Sequence, residues 1–450
     1  MSGLPGNWVV LPIGDLISLN PKIECSDELS AGFVPMQMVG KEYSSPIRFE
    51  TRPWGEIKKG YTHFANGDVL LAKITPCFEN GKAGLVCGLP NGVGAGSTEY
   101  FVSRPHLDML NSRYLYAFLK TDKFLKAGAV QMTGSVGHKR VPKDYLLETE
   151  LPLAPYNEQK RIADKLDAVL ARVDACRDRL DRIPAILKRF RQSVLAAATS
   201  GKLTEDWRGG DISSWTHERA ADVCAKVQSG GTPKEGFTHD GIPFLKVYNI
   251  VNQKVAFDYK PQYIAPAIHQ GTMSKSKVQP GDVLMNIVGP PLGKVAIVPD
   301  SNPAWNINQA ITLFRPSDRI STGWLYCILC GGENIAEIVH ETRGSAGQTN
   351  ISLSQCRDFI FPVPSVEEQT EIVRRVDSLF EYADRLEARY TSARAQVEKL
   401  TPATLAMAFR GELVPQDPND EPASVLLQRI HTQCNEPRVS KPSRNRREQG

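Results

Sequence analysis

Two short polar loops in this chain carry side chains that could hold a polyanion. Gly134-Ser135-Val136-Gly137 recurs as Gly344-Ser345-Ala346-Gly347, from residue 134 to residue 344 and so at an offset of 210. Ser135, His138, Lys139 and Arg140 populate the first loop, and Ser345, Gln348, Thr349 and Asn350 the second. A further group, Lys73, Thr75, Asn80 and Lys82, surrounds the end of a predicted strand; Asn286, Lys294, Asn308 and Gln309 hold related positions in the second half. Arg and Lys suit guanine edges and phosphates, and Asn and Gln suit adenine, so the chemistry these types can do is the non-covalent reading of a nucleic-acid groove.

Motifs for bond-making chemistry are incomplete or missing. Gly289-Pro290-Pro291-Leu292-Gly293-Lys294-Val295 resembles a phosphate loop but is one residue short and ends in Val where Ser or Thr would reach a metal. Gly92-Val93-Gly94-Ala95-Gly96 lacks the third glycine spacing of a dinucleotide fingerprint. The Asn/Asp-Pro-Pro-aromatic motif of adenine methyltransferases does not occur, and the eight histidines form no His-Glu-x-x-His pair. Cys327 and Cys330 have redox or zinc spacing, but their counterparts at the offset are Ala117 and Lys120, which favours a buried helical face. The expectation is a chain without catalytic residues, without a metal site and without a cofactor of its own.

Composition is permissive. A 41% hydrophobic content over 450 residues allows two cores, and a net charge of +4 with pI near 8.5 tolerates a polyanionic partner without requiring one. With no apolar run long enough to span a bilayer and no basic-plus-apolar leader at Met1, the expected setting is cytoplasmic, away from membranes. Nine scattered cysteines argue against a disulfide framework.

The elements that must position these loops are duplicated. Glu158-Gln159 returns as Glu368-Gln369, Asp167 as Asp377, Asp174 as Asp384 and Gly201-Lys202-Leu203 as Gly411-Glu412-Leu413. Each half opens on a tryptophan (Trp8, Trp215), and the runs from Gly67-Asp68 and Gly281-Asp282 read as a turn followed by a half-buried strand. A helix carrying Tyr114-Leu115-Tyr116, or Trp324-Leu325-Tyr326, comes later in each half. After Asn157, taken as an N-cap, apolar residues at Ile162, Leu166, Val169, Val173, Cys176 and Leu180 alternate in steps of four and three. Ile372, Val376, Leu379, Ala383 and Leu386 do the same after Ser365, which opens a capping box. Each seam keeps one face toward a partner helix, and two such helices in a pseudo-two-fold chain are expected to pack antiparallel. Residues 157–181 would span roughly 37 Å at ~1.5 Å per residue. Pro184 and Pro402, the latter with Thr401 as cap, are expected to break or restart these helices.

The predicted fold class is α+β: two globular domains of mixed β/α structure separated by two long antiparallel coiled-coil helices. The expected boundaries are 1–155 and 208–363 for the globular domains, 156–207 and 364–414 for the helical regions, and 415–450 for a polar, basic, disordered tail.

With these parts in place, the chain resembles the specificity subunit of a Type I restriction–modification enzyme, of the enteric-type subgroup. The resemblance rests on Glu158-Gln159-Lys160-Arg161-Ile162-Ala163-Asp164-Lys165-Leu166-Asp167, on Ile186-Leu187-Lys188-Arg189-Phe190-Arg191-Gln192-Ser193-Val194-Leu195 and on Gly201-Lys202-Leu203-Thr204-Glu205-Asp206-Trp207-Arg208. In the second copy it rests on Glu367-Glu368-Gln369-Thr370-Glu371-Ile372-Val373-Arg374-Arg375-Val376 and on Ala408-Phe409-Arg410-Gly411-Glu412-Leu413. It implies that the globular halves are target-recognition domains, each reading one half of an asymmetric bipartite site in double-stranded DNA. The helices would set the spacer. Two modification (methyltransferase) subunits would dock on them, and two restriction subunits would join that core. S-adenosylmethionine, ATP and Mg2+ would then reside on those partners, which flip and methylate adenine and which translocate and cleave DNA. The rival readings are a protein-only scaffold that reads no DNA and a self-contained modifying enzyme.

Overall fold

A computed structural model of the chain describes residues 3–135, 137–210, 214–341, 350–425 and 427–428. It divides into two compact units, residues 1–181 with 391–450, and residues 182–390. Each is a sandwich of two four-stranded sheets with a helical layer, and the two share one strand order.

In the first unit one sheet runs Ile17–Leu19, Tyr100–Pro105, Val69–Ala72, Ala83–Leu85, antiparallel throughout. The other runs Glu50–Pro53, Ser30–Val34, Val93–Gly96, Thr62–Ala65, and its central pair is parallel. A ribbon of Val9–Pro12 with Glu150–Leu153 closes the chain on itself. The strand Val69–Ala72 was expected to be half-buried; all four of its residues are buried. Val69 and Leu71 enter a core shared with helix α1 (Ser112–Leu119), and Leu70 enters a second core with Val34, Phe64 and Tyr100. Period-two alternation therefore separates two apolar cores here, where the usual arrangement is core against solvent. Helix α1 begins at Asn111, whose side chain accepts from the N–H groups of Arg113 and Tyr114.

Helix α2 spans Tyr156–Leu180, starting one residue before the expected cap, with Pro155 in the cap position. Ile162 and Leu166 are fully buried, but they face the domain core with Tyr114 and Leu115. Leu170, which the four-three pattern passes over, is buried with them, while Val169 and Leu180 are half-buried and Cys176 is exposed. The burial of α2 thus follows the curvature of the domain in its first half. Val173 is buried farther along. Residues 391–408 lie along α2 in the same unit. Arg177 pairs with Glu398 at 3.8 Å and Asp181 with Arg394 at 3.3 Å, so the two segments run antiparallel.

The second unit repeats the pattern with Lys226–Ser229, Ile311–Arg315, Val283–Asn286, Val295–Ile297 in one sheet and Tyr263–Ile264, Ile242–Leu245, Trp305–Ile307, Lys277–Val278 in the other. Its ribbon is Thr216–Arg219 with Ile360–Val363. Val283 and Met285 face one core and Leu284 the other. Helix α3 (Ile183–Thr199) carries Pro184 in its first turn, and Arg191 reaches Asp384 at 2.6 Å and Glu387 at 2.8 Å. Leu203 O accepts from Arg375, so the direction is again antiparallel. Helix α4 (Thr322–Gly331) buries Cys327 among Trp324, Leu325 and Ile328, and burial pushes the Cys327 thiol up to about 12. In the second seam Ile372, Val376 and Ala383 are buried, and Leu379 and Leu386 half-buried.

Two further expectations change. Helix α5 is continuous from Val366 to Ala408, so Pro402 lies inside it and Thr401 caps nothing. A helix-interior proline sacrifices one hydrogen bond. Here the burial of Leu405, Ala408 and Phe409 in the first unit's core outweighs that loss. The polar stretch after Pro415 also does not begin as a free tail. Asp420 pairs with Arg161 at 2.5 Å, Ala423 is fully buried and Leu427 packs on the core. Residues 429–450 lie outside the described part.

Candidate nucleic-acid interface

Three backbone segments meet at one edge of the first unit. Lys73 N–H, just past the strand Val69–Ala72, donates to Glu99 O at 2.9 Å, and Val141 N–H donates to Lys73 O at 2.9 Å. Thr75 N–H donates to Lys139 O at 2.9 Å, and Arg140 pairs with Thr133 in both directions at 2.8 and 3.0 Å. A strand end, a tight turn and the returning Gly-Ser loop are thereby tied into one platform. Lys73, Thr75, His138, Lys139 and Arg140 come together on it, and residues 137–140 are all exposed. Ser135 is exposed in the same loop, its carbonyl accepting from His138 N–H at 3.0 Å.

Side-chain geometry sorts these candidates. The Arg140 guanidinium is held by Glu99, with Nη2 to Oε1 at 2.7 Å and Nε to the two oxygens at 3.0 and 3.1 Å. The hydrogen bond from Arg140 in turn holds the Glu99 carboxyl below the usual carboxylate range. Lys73 Nζ lies 5.4 Å from the Phe101 ring centre, a cation–π distance. Asn80 and Lys82 sit on the turn that leaves the same strand end, where Ala72 N–H donates to Lys82 O at 2.9 Å. Asn80 is exposed; the Lys82 ammonium turns inward to Met36 O at 3.1 Å and is committed to the fold.

The second unit builds the same platform from different side chains. Ile287 N–H donates to Ala310 O at 2.9 Å and Ile351 N–H to Ile287 O at 2.9 Å. Ala310 thus stands where Glu99 does, and Asn350, which is exposed, where Arg140 does. Gln309 is exposed and accepts from Thr232 Oγ1. Asn308 is half-buried, and its Oδ1 is buried without a protein partner among the described residues. A Cβ on Gly230 would overlap the Asn308 carbonyl, so only glycine lets the two backbones approach so closely. Lys294 is half-buried beside Asn286. Ser345, Gln348 and Thr349 fall outside the described residues.

Asn286 is corrected outright. It is fully buried, donates to Pro291 O at 2.9 Å and accepts from Lys294 N–H at 2.7 Å. With both ends of the amide used in holding the Gly289–Lys294 turn, it has nothing left for a ligand. A polar residue at a strand end looks the same in sequence whether it points outward or staples the next turn.

Other repeated residues that looked like mere markers hold the platform's frame. Asp68 (1% exposed) takes a two-pronged contact from Arg104, 2.7 Å on each oxygen, and Asp282 takes one from Arg315 at 2.8 and 2.7 Å. Gln159 accepts Asn111 N–H at 2.8 Å and donates to Met109 O and Ala154 O; Gln369 accepts Ser321 N–H at 2.8 Å and donates to Arg319 O and Pro364 O. Each glutamine ties the start of a long helix to the cap of the aromatic helix. The preceding glutamates, both buried, receive the indole N–H of Trp8 or Trp215. Burial pushes the Glu158 carboxyl up, against the opposing hydrogen bonds of Gln416 and Trp8. The recurrence of Glu158-Gln159 at the 210 offset is the signal in the sequence; their structural roles come from partners far along the chain.

No helix is long and apolar enough to cross a membrane, and no three His, Cys, Asp or Glu side chains converge as metal ligands, both among the described residues.

Comparison with known proteins gives one family twice. Residues 5–185 and 212–393 each match the Type I restriction modification DNA specificity domain. The chain is 33% identical to the Type I restriction enzyme EcoBI specificity subunit of Escherichia coli over 352 residues, 72% of each chain. It is 38% identical to the EcoAI specificity subunit, also of Escherichia coli, over 209 residues that make up 45% of this chain and 36% of that subunit. A solved structure from work on complex assembly and conformational transition of the type I R-M system superimposes with a TM-score of 0.73, covering 92% of this chain and all of that one at 21% identity. That likeness concerns the fold.

Proposed function

The chain belongs to the Type I restriction–modification DNA specificity family, and on that premise we propose that it is the non-catalytic subunit through which such a complex reads double-stranded DNA. Each recognition domain reads one half of a bipartite, asymmetric site, and the helices set the spacer between halves. Two modification subunits dock on the helices and two restriction subunits complete the assembly, in the cytoplasm. S-adenosylmethionine, ATP and Mg2+ belong to those partners.

The observation that carries this reading is a shared platform bearing unlike side chains: Glu99 and Arg140 in one unit, Ala310 and Asn350 in the other. One scaffold dressed with two sets of donors and acceptors suits two different base sequences. The exposed cation Lys139 fits a phosphate contact on DNA, because neutralised phosphates release counterions.

Exchanging residues 1–150 for those of a relative with another specificity, inside the assembled modification complex, tests the reading. Methylation mapping should show one half-site changed and the other kept. A change in both halves refutes the modular reading. Absence of any footprint on duplex DNA with modification subunits present would favour the protein-only scaffold.

A further inference from the structure

We propose that Arg140 reads a guanine in the half-site of the first unit and that Glu99 is its positioning residue, a pairing that the second unit lacks. The proposal deepens the DNA-reading function above and rests on it.

The geometry is that of a braced arginine. Nε shares its hydrogen between both Glu99 oxygens at 3.1 and 3.0 Å, Nη2 gives one hydrogen to Oε1 at 2.7 Å, and Nη1 gives one to His138 O at 3.2 Å. Each terminal nitrogen carries two hydrogens, so each keeps one N–H uncommitted. Two parallel N–H groups are what guanine O6 and N7 accept in the major groove, and no other base presents that pair of acceptors. The side chain is 48% exposed, so the pairing leaves it accessible to a ligand.

Bracing has a physical purpose. A free arginine loses rotamer entropy when fixed, and an unguided one settles on any phosphate. Glu99 removes much of that freedom before DNA arrives. The platform holds both partners from behind: Glu99 O accepts Lys73 N–H, and the Arg140 backbone is paired to Thr133. Arg140 is therefore aimed by two backbone tethers and one carboxylate. Glu99 also repels phosphates nearby, which favours a base edge over the backbone as the arginine's target.

The second unit shows what the same platform looks like without the brace. Ala310 has no carboxylate to offer, and the residue at the arginine's place is Asn350, with the amide of Gln309 exposed nearby in sequence. Asn and Gln pair with adenine N6 and N7. The two half-sites should therefore differ at the corresponding position: G·C under Arg140, and no arginine-read guanine under Asn350.

The experiment uses the full chain with its modification subunits. Methylation mapping first defines the wild-type site; duplexes carrying that site and each single-base replacement in the first unit's half then measure discrimination. For Arg140→Ala, discrimination at one G·C pair should collapse by roughly 5- to 150-fold, the worth of one good bidentate contact, while other positions and the salt slope stay put. Glu99→Ala should loosen the same position alone, with Arg140→Lys no better than Arg140→Ala. A uniform loss across all sequences, with the salt slope reduced by about one, would identify a phosphate contact and overturn the proposal. So would unchanged discrimination in both variants. Installing the pair as Ala310→Glu with Asn350→Arg should add a guanine preference to the second half-site, and its failure to do so counts against the brace. If the wild-type complex reads no bipartite site at all, the fault lies with the function proposed above.

Discussion

The indole N–H of Trp8 donates to the buried carboxylate of Glu158 at 3.1 Å, joining residues 150 positions apart, and Trp215 does the same to Glu368 at 2.9 Å. In both units this contact clasps the opening segment of a domain to the first turn of the long helix that leaves it. The clasp also takes in the chain that follows the returning helix. Gln416 donates to Glu158 at 2.6 Å; Thr204 donates to Glu368 at 2.7 Å, and Arg208 pairs with it.

Glu158→Ala should destabilise the first unit by about 1–3 kcal/mol, because it strands the buried indole donor and leaves the Gln416 amide without its acceptor. Thermal unfolding measures this. Glu158→Gln also tests the charge. Since burial raises the folded carboxyl's pKa, the folded state holds the proton more tightly than the unfolded one. The carboxylate's contribution therefore worsens as pH rises from the unfolded value near 4.3. The stability of Glu158→Gln relative to wild type should improve over that rise; a flat difference from pH 4 to 7 would contradict it.

The Asp68–Arg104 pair should respond unequally to its two truncations. Arg104→Ala leaves a carboxylate 1% exposed with no cation, whereas Asp68→Ala leaves an arginine that can turn to water. After discounting for the exposed arginine, Arg104→Ala should cost about 1–3 kcal/mol and exceed Asp68→Ala. Denaturant midpoints for the two variants decide it, and the reverse order would show that the Asp68 hydrogen bond to Ala65 N–H outweighs the ion pair.

Lys120 is buried with its ammonium on Gly81 O at 2.7 Å and Lys41 O at 3.0 Å, and burial lowers its pKa to about 7. Because the unfolded lysine titrates near 10.4, the unfolded state binds more protons between those values, and stability should rise as pH goes from 7 to 10. Lys120→Met should lose that rise. Retention of the same slope in the variant would mean that another group causes it.

Lys139 is exposed and, unlike Arg140, has no ion-pair partner among the described residues. Lys139→Ala should weaken DNA binding equally across sequences and reduce the salt slope by about one. Titrations at several salt concentrations check this, and a change at a single base position would reassign Lys139 to base reading.

Removing about one helical turn, ~5.4 Å, from both long helical regions should shorten the spacer of the methylated site by one to two base pairs. A motif with its spacer intact would show that the helices are not the ruler.

Local pattern alone was enough to reveal the duplication, the α+β class, the long helices with buried Ile162, Leu166, Ile372 and Val376, and the strands after Gly67-Asp68 and Gly281-Asp282. These rest on interactions within one or two turns or along a single strand, which periodicity encodes directly. Other outcomes depended on partners far away in the chain. Asn286 went inward to staple a turn, Pro402 was carried inside a helix by the burial of Leu405 and Ala408, and Leu170 was buried where the seam skipped it. Glu99 met Arg140 across 41 positions, and Trp8 met Glu158 across 150. Spacing carries no record of such pairs, because their separation is set by how the sheets fold back and their energy is gained only when both ends arrive. Local pattern therefore specifies which elements form and that they form twice. Long-range contacts settle which polar side chains are consumed in holding those elements and which remain exposed for a ligand.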